Sequence, residues 1–166
     1  MLRFDPDGWR ETFSEEKNNL QYYLKNFKLA ITHIGATAIK GGRSNRNVDI
    51  LITSESLSDA SSISVRLQSK GYKLLDYDDG HEIITLVAPK KVLGYGVTIR
   101  VVVYASNVYV RYNAFASLLK EHEQLVKRYN EFRESIAHKC GADWKRYRKL
   151  KVDYINLLLE ENFKFE

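Results

Sequence analysis

The segment His33–Ile52, HIGATAIKGGRSNRNVDILI, holds the residue types that phosphate chemistry requires. Gly35 allows the backbone to approach a ligand closely, and the small residues Ala36, Thr37 and Ala38 can open a short helix whose first amides point toward an anion. Thr37 adds a hydroxyl donor, and Arg43 and Arg46 in the following basic loop can neutralise charge. Asp49 comes next on an apolar strand, where an unpartnered carboxylate is costly. A strand carboxylate of this kind has a cation, a metal ion or several hydrogen-bond donors beside it. The expected chemistry is therefore the binding of a phosphate-bearing ligand, with Asp49 as the metal-binding and catalytic candidate or as one half of an ion pair.

The other reactive residues carry less. The four histidines, His33, His81, His122 and His138, include no i, i+4 pair of the kind a helical zinc site uses. The single cysteine, Cys140, excludes an internal disulfide and a multi-cysteine metal site. There is no Gly-x-Ser-x-Gly elbow and no Gly-Lys-Ser/Thr phosphate loop; Gly41-Gly42-Arg43-Ser44 is a partial look-alike. Between Lys139 and Lys151 lie six cations and one acid, Asp143. That patch suits a polyanion, including RNA, or is a solvated helix face. Tyr147 and Tyr154 alternate with its cations, as stacking groups or as core.

Positioning these residues requires a set of elements that the chain spells out. Asp5-Pro6-Asp7 reads as a helix start, and Trp9, Phe13, Leu20, Leu24 and Phe27 then share one face, giving a helix over 8–27. Lys28–Ile34 reads as a strand and Lys40–Asn47 as a loop. In the strand Val48–Thr53, Val48, Ile50 and Ile52 point one way and Asn47, Asp49 and Leu51 the other. A helix over Leu57–Lys70 ends at Gly71, and strands follow at Tyr72–Tyr77, Glu82–Ala88 and Val97–Ala105, the first two joined by a hairpin turn at Asp78-Asp79-Gly80. The remainder is helical, with a break near His122 and a last helix capped by Asp143 that buries Trp144, Tyr147, Ile155 and Leu158. The fold class is α+β: a small mixed sheet over about 28–105, flanked by an N-terminal helix and a C-terminal helical part over about 108–162.

With 166 residues and no linker or repeat, one domain over 1–166 is expected. Hydrophobic residues at 44% and charged residues at 28% exclude a wholly disordered chain. No apolar run is long enough to cross a membrane, and the opening Met-Leu-Arg-Phe-Asp-Pro-Asp lacks the apolar stretch of a signal peptide, so a cytoplasmic protein without membrane partners is expected. The net charge of +5 and pI near 9.2 agree with an acidic or phosphate-bearing partner.

The chain resembles the GrpB family, whose members carry a His-Ile-Gly-Ser-Thr-(Ala/Ser)-Val-Pro-Gly stretch followed by Ile-Ile-Asp-Ile. Phe4-Asp5-Pro6 with Trp9, Phe13 and Glu16 matches the opening of that family. His122 and Tyr129 match its central stretch, and Asp143, Tyr147, Lys151, Tyr154 and Ile155 its closing pattern. The family is similar to the nucleotidyltransferase superfamily. That resemblance implies a mixed sheet, nucleotide as the ligand class, and paired carboxylates that hold Mg²⁺ for phosphoryl or nucleotidyl transfer. Carried onto this chain, Gly35 and Asp49 match, the serine is Ala36 and the second carboxylate is Leu51. On the third strand the family's His-His-Leu-His run is Ile99-Arg100-Val101-Val102. Arg100 is therefore expected to stand beside Asp49 as counter-ion and, with Lys151, to contact the ligand. Three readings follow: a nucleotide- or phosphate-binding protein with an incomplete carboxylate set, an active Mg²⁺-dependent nucleotidyltransferase, or a basic RNA-binding protein.

Overall fold

The Asp-Pro-Asp opening folds as its residues dictate. The Asp5 carboxylate accepts the Gly8 amide at 3.2 Å, Pro6 occupies the first turn, and α1 runs Pro6–Tyr23. Trp9, Leu20 and Leu24 are buried on its inner face. The helix stops before Phe27, whose amide returns to the Leu24 carbonyl; Phe27 still packs against the core, because the chain must reverse there to enter the sheet. The computed structural model describes residues 2–75 and 82–163.

After α1 come β1 (Leu29–Ile34), a 3₁₀ turn at Ala36–Ala38, β2 (Asn47–Ser54), α2 (Leu57–Ser69), β3 (Lys73–Leu75), β4 (Ile84–Val87) and β5 (Gly96–Val103). Three helices close the chain: α3 (Asn107–Glu121), α4 (Glu123–Cys140) and α5 (Trp144–Asn162). The strands form one sheet in the order β1-β2-β5-β4-β3. Only β2 and β5 run parallel; the other pairs are antiparallel, so the sheet is mixed as expected. The expected hairpin turn at Asp78-Asp79-Gly80, the end of its first strand and His81 lie outside the described residues.

The alternation of β2 decides which helices meet which face. Val48, Ile50 and Ile52 join Val97, Ile99, Val101 and Leu86 beneath Trp9, Leu20 and Leu24 of α1 and its cap, and Ala60, Ile63 and Leu67 of α2. The opposite parity, with Ile34, Leu51 and Val102, packs against Val108, Tyr109 and Tyr112 of α3. Helices α4 and α5 then build a separate core on α3, around Phe115, Leu118, Leu119, Val126, Tyr129, Leu158 and Leu159. The break falls at His122, where α3 ends and α4 begins.

Along α5, residues 144, 148, 151, 155 and 158 recur at spacings of four and three and so form one seam. The seam starts buried at Leu158 and ends in solvent: Trp144, expected in the core, is 50% exposed. Its first turn extends past the packed part of the helical core, and the Trp144 ring stacks on Tyr147 instead of entering that core.

Candidate functional site

Asp49 and Arg100 meet as the strand order dictates. Parallel pairing sets Asp49 opposite Thr98 and Leu51 opposite Arg100. The Arg100 Nη1 donates to Asp49 Oδ1 at 2.5 Å. The two side chains keep only 20% and 26% of their exposure, so the charges attract through a partly desolvated medium. The Asn47 side-chain amide reaches the same carboxylate oxygen at 3.4 Å and the Thr98 hydroxyl at 3.1 Å.

Gly35 closes the other side of the carboxylate. Its φ is +74°, a region that suits glycine, and a Cβ built there would lie 3.1 Å from Asp49 Oδ2. In the turn that follows, the Ala38 amide donates to the Gly35 carbonyl at 3.1 Å. The amides of Ala36 and Thr37 have no acceptor among the described residues. The Thr37 hydroxyl instead lies 2.7 Å from the His33 Nε2, and the imidazole stacks on Phe13 at 4.8 Å.

Burial pushes the His33 imidazole down to about 4, against a smaller upward pull from Asp49, so it is neutral at pH 7. An unfolded histidine titrates near 6.5, so between the two values the unfolded chain binds more protons. Stability is therefore complete above pH 6.5 and falls as the pH drops toward 4. A loss of about 1–2 kcal/mol is expected once screening of this half-buried group is allowed for. Urea melts of wild type and His33→Gln at pH 7 and pH 4.5 check this: between the two pH values the wild type should lose about 1–2 kcal/mol more stability than the variant.

The basic loop is pinned rather than open. The Arg43 amide donates to the Asn130 Oδ1 of α4 at 3.1 Å, Asn130 returns an amide to the Gly41 carbonyl at 2.9 Å, and the buried Arg133 donates to the Arg43 carbonyl. Gly42 donates to Ile39, and Ser44 bridges to Arg3. The Arg43 guanidinium pairs with Glu134 of α4 at 3.6 Å. Arg46, in a left-handed conformation with φ +72°, lies within electrostatic reach of Tyr95, whose hydroxyl donates to Asp5. The structure thus brings Gly35, Ala36, Thr37, Asp49 and Arg100 together, and engages Arg43 and Arg46 elsewhere.

A second cation within electrostatic reach of Asp49 comes from a helix. Lys151, half-buried on the α5 seam, is pushed down to about 8, first by burial and then by repulsion from Arg100, with Arg133 and Arg148 adding to it and Asp49 opposing. Burial raises the nearby Tyr129 hydroxyl, which also feels Arg133, Tyr147, Asp49 and Arg100 and stays neutral. Arg133 lies over the Tyr129 ring at 5.4 Å, and its Nε has no hydrogen-bond partner among the described residues. Three arginines therefore act on Lys151, and Asp49 is the one carboxylate that opposes them there. Arg148 was legible in the sequence only as one of six charges in the basic run; its spacing of three from Lys151 was the signal that both share one face of α5.

A divalent metal does not fit this donor set. Asp49 already holds a guanidinium, Leu51 occupies the neighbouring same-face position, and no cluster of three or more ligating side chains occurs among the described residues. The arrangement suits an anion, which would relieve the mutual repulsion of Arg100, Arg148 and Lys151. No helix among the described residues is long and apolar enough to cross a membrane.

A family model described as GrpB protein matches residues 2–161. The glutamate-rich protein GrpB of Alkalihalophilus pseudofirmus is 27% identical over 158 residues, covering 93% of this chain and 91% of that protein. Among solved structures, the conserved protein GrpB from Enterococcus faecalis superposes with a TM-score of 0.79 at 19% identity, over 97% of this chain and 96% of that one. The Cid1 poly(U) polymerase, in a crystal structure bound to MgATP, superposes with a TM-score of 0.53 at 15% identity, over 84% of this chain and 44% of that one. At these identities the structural likeness is one of fold, a nucleotidyltransferase-like sheet with its helices.

Proposed function

This chain belongs to the GrpB family, and from that premise we propose that it binds a nucleotide or related phosphate ligand without a metal, as a cytoplasmic binding protein on a nucleotidyltransferase-like fold. The observation that carries the reading is that Arg100, Arg133 and Arg148 all act on Lys151, while one carboxylate, Asp49, opposes them and is itself paired with Arg100. Where a transferase of this fold class needs carboxylates to hold Mg²⁺ against a triphosphate, this chain presents cations that meet the phosphates directly. The free Ala36 and Thr37 amides at the adjoining turn add donors on the sheet side of the site. The likeness to a polymerase bound to MgATP supports the second reading, an active Mg²⁺-dependent nucleotidyltransferase.

Thermal melts with ATP in EDTA and with ATP and Mg²⁺ separate the two. At 100 times the dissociation constant the ligand adds ~2.7 kcal/mol of apparent stability. Stabilisation in EDTA that Arg100→Gln abolishes supports metal-independent binding. Stabilisation that appears only with Mg²⁺ supports the transferase.

The charge state of Lys151 gives a further expectation. Between pH 7 and 9 its ammonium loses its proton in the free protein, since its titration is centred near 8. ATP affinity should therefore fall by about tenfold as the pH rises from 7.5 to 9.5, the order expected for losing one charge-assisted hydrogen bond. Calorimetric titration in EDTA reads this directly, and Lys151→Met should bind more weakly at pH 7.5 and show no pH dependence in that window.

A further inference from the structure

The seam of α5 carries aromatic rings at its outer end and cations further in, and the phosphate site uses only the cations. At 3.6 residues per turn, Tyr147, Lys151, Trp144 and Arg148 fall in that angular order within about 100° of arc. Lys145, Arg146 and Lys149 lie outside that arc and are exposed. Trp144 is half exposed, yet its ring stacks on Tyr147, centroids 5.7 Å apart and planes 10° from parallel. Tyr147 in turn acts on the Tyr129 hydroxyl, which also feels Asp49 and Arg100. Lys151, two turns beyond Trp144 or about 10 Å of helical rise, feels Arg100, Arg133, Arg148 and Asp49. The ring pair is therefore continuous with the charged cluster: it shares the same face of α5, and Tyr147 reaches the same buried tyrosine.

We propose that the Trp144–Tyr147 ring pair is a base-stacking platform, so that the ligand of this site is a nucleotide held by its base as well as by its phosphates. The proposal rests on the phosphate reading above, which places the anion at Arg100 and Lys151. An indole held flat against a neighbouring tyrosine has its orientation set before a ligand arrives, which lowers the ordering cost of stacking. The arc presents rings in water at one end and cations at the other. A molecule with a flat, weakly polar group at one end and phosphates at the other matches both. Every base offers a π-face, whereas inorganic phosphate or a phosphorylated sugar leaves the rings unused. Two helical turns separate the two ends, a span that a nucleoside triphosphate bridges.

Calorimetric titration in EDTA at pH 7.5 tests this by comparing ATP with inorganic tripolyphosphate, which offers the phosphates without a base. The wild type should bind ATP about tenfold or more tightly than tripolyphosphate. Trp144→Ala should bring ATP down to the affinity of tripolyphosphate, and Trp144→Phe, which keeps a flat ring, should restore most of the preference. Unchanged melting temperatures confirm that both variants fold. Fluorescence gives an independent readout, because the other tryptophan, Trp9, is 1% exposed. ATP should quench the Trp144 part of the emission, and tripolyphosphate should quench neither part. Equal affinity for the two anions, an ATP preference that Trp144→Ala leaves intact, or ATP binding without quenching would overturn the platform and leave the phosphate reading standing. Binding of neither anion would overturn the phosphate reading, and this proposal with it.

Discussion

Asp49→Asn should lower stability by about 2–3 kcal/mol, a fall of roughly 5–10 °C in melting temperature for a chain of this size. The substitution keeps the shape of the side chain and removes only its charge. Arg100, bonded to that carboxylate at 2.5 Å and only 20% exposed, then loses this ion pair, and Asp49 no longer opposes the repulsion between Arg100 and Lys151. Removing one partner of a fully buried pair costs about 3–5 kcal/mol, and the residual solvent access here sets the lower figure. A double-mutant cycle with Arg100→Met isolates the pair, and the double variant should recover part of the loss. At pH 7 the affinity of Asp49→Asn for ATP in EDTA should hold or rise, because a negative group has left an anion site. A metal-binding Asp49 gives the opposite result: stability unchanged or higher, and Mg²⁺-dependent nucleotide binding lost. One variant, measured by melting and by titration, therefore decides what Asp49 does.

Gly42→Ala is expected to cost about 3 kcal/mol or more, through crowding rather than charge. A Cβ at Gly42 would lie 1.9 Å from the Ala36 carbonyl oxygen and 3.1 Å from that of Ile39. Both neighbours are backbone, and the Gly42 amide is held to Ile39 at 2.9 Å, so no side chain can swing aside. Relief requires moving the turn at Ala36–Ala38, which adjoins Gly35 and hence Asp49. ATP affinity should fall together with stability. Gly94→Ala serves as the contrast: its φ is +85° but nothing lies within 4 Å of the added carbon, so only backbone strain of about 1 kcal/mol is expected. Chemical denaturation of the two variants side by side checks the ordering; equal losses would show that the Gly42 contact is relieved by local movement.

What the sequence determined by itself is what depends on neighbours along the chain. The Asp5-Pro6 helix start, the Asp143 cap and the end of α2 at Gly71 follow from groups within three or four residues of each other. The opposite parity of Asp49 and Ile50 follows from the two-residue period of a strand, and the break at His122 from a lapse in the helical period. Resemblance to a known family added the neighbourhood of Asp49 and Arg100, which no local pattern contains, because parallel strands are joined through a crossover and their order is not encoded in either strand.

Only the tertiary structure decided where the basic groups point. Arg43 and Arg46 sit in the loop that follows the turn at Ala36–Ala38, yet the first pairs with Glu134 of α4 and the second acts on Tyr95. Lys151 lies a hundred residues downstream and comes within electrostatic reach of Asp49 and Arg100 because α5 packs Leu158 and Leu159 into the helical core, which fixes where the rest of that seam lies. Trp144 belongs to the same seam and ends in solvent because the core stops short of the first turn of α5. Helical periodicity tells which residues share a face; how far along its length that face is covered depends on what the rest of the chain places against it.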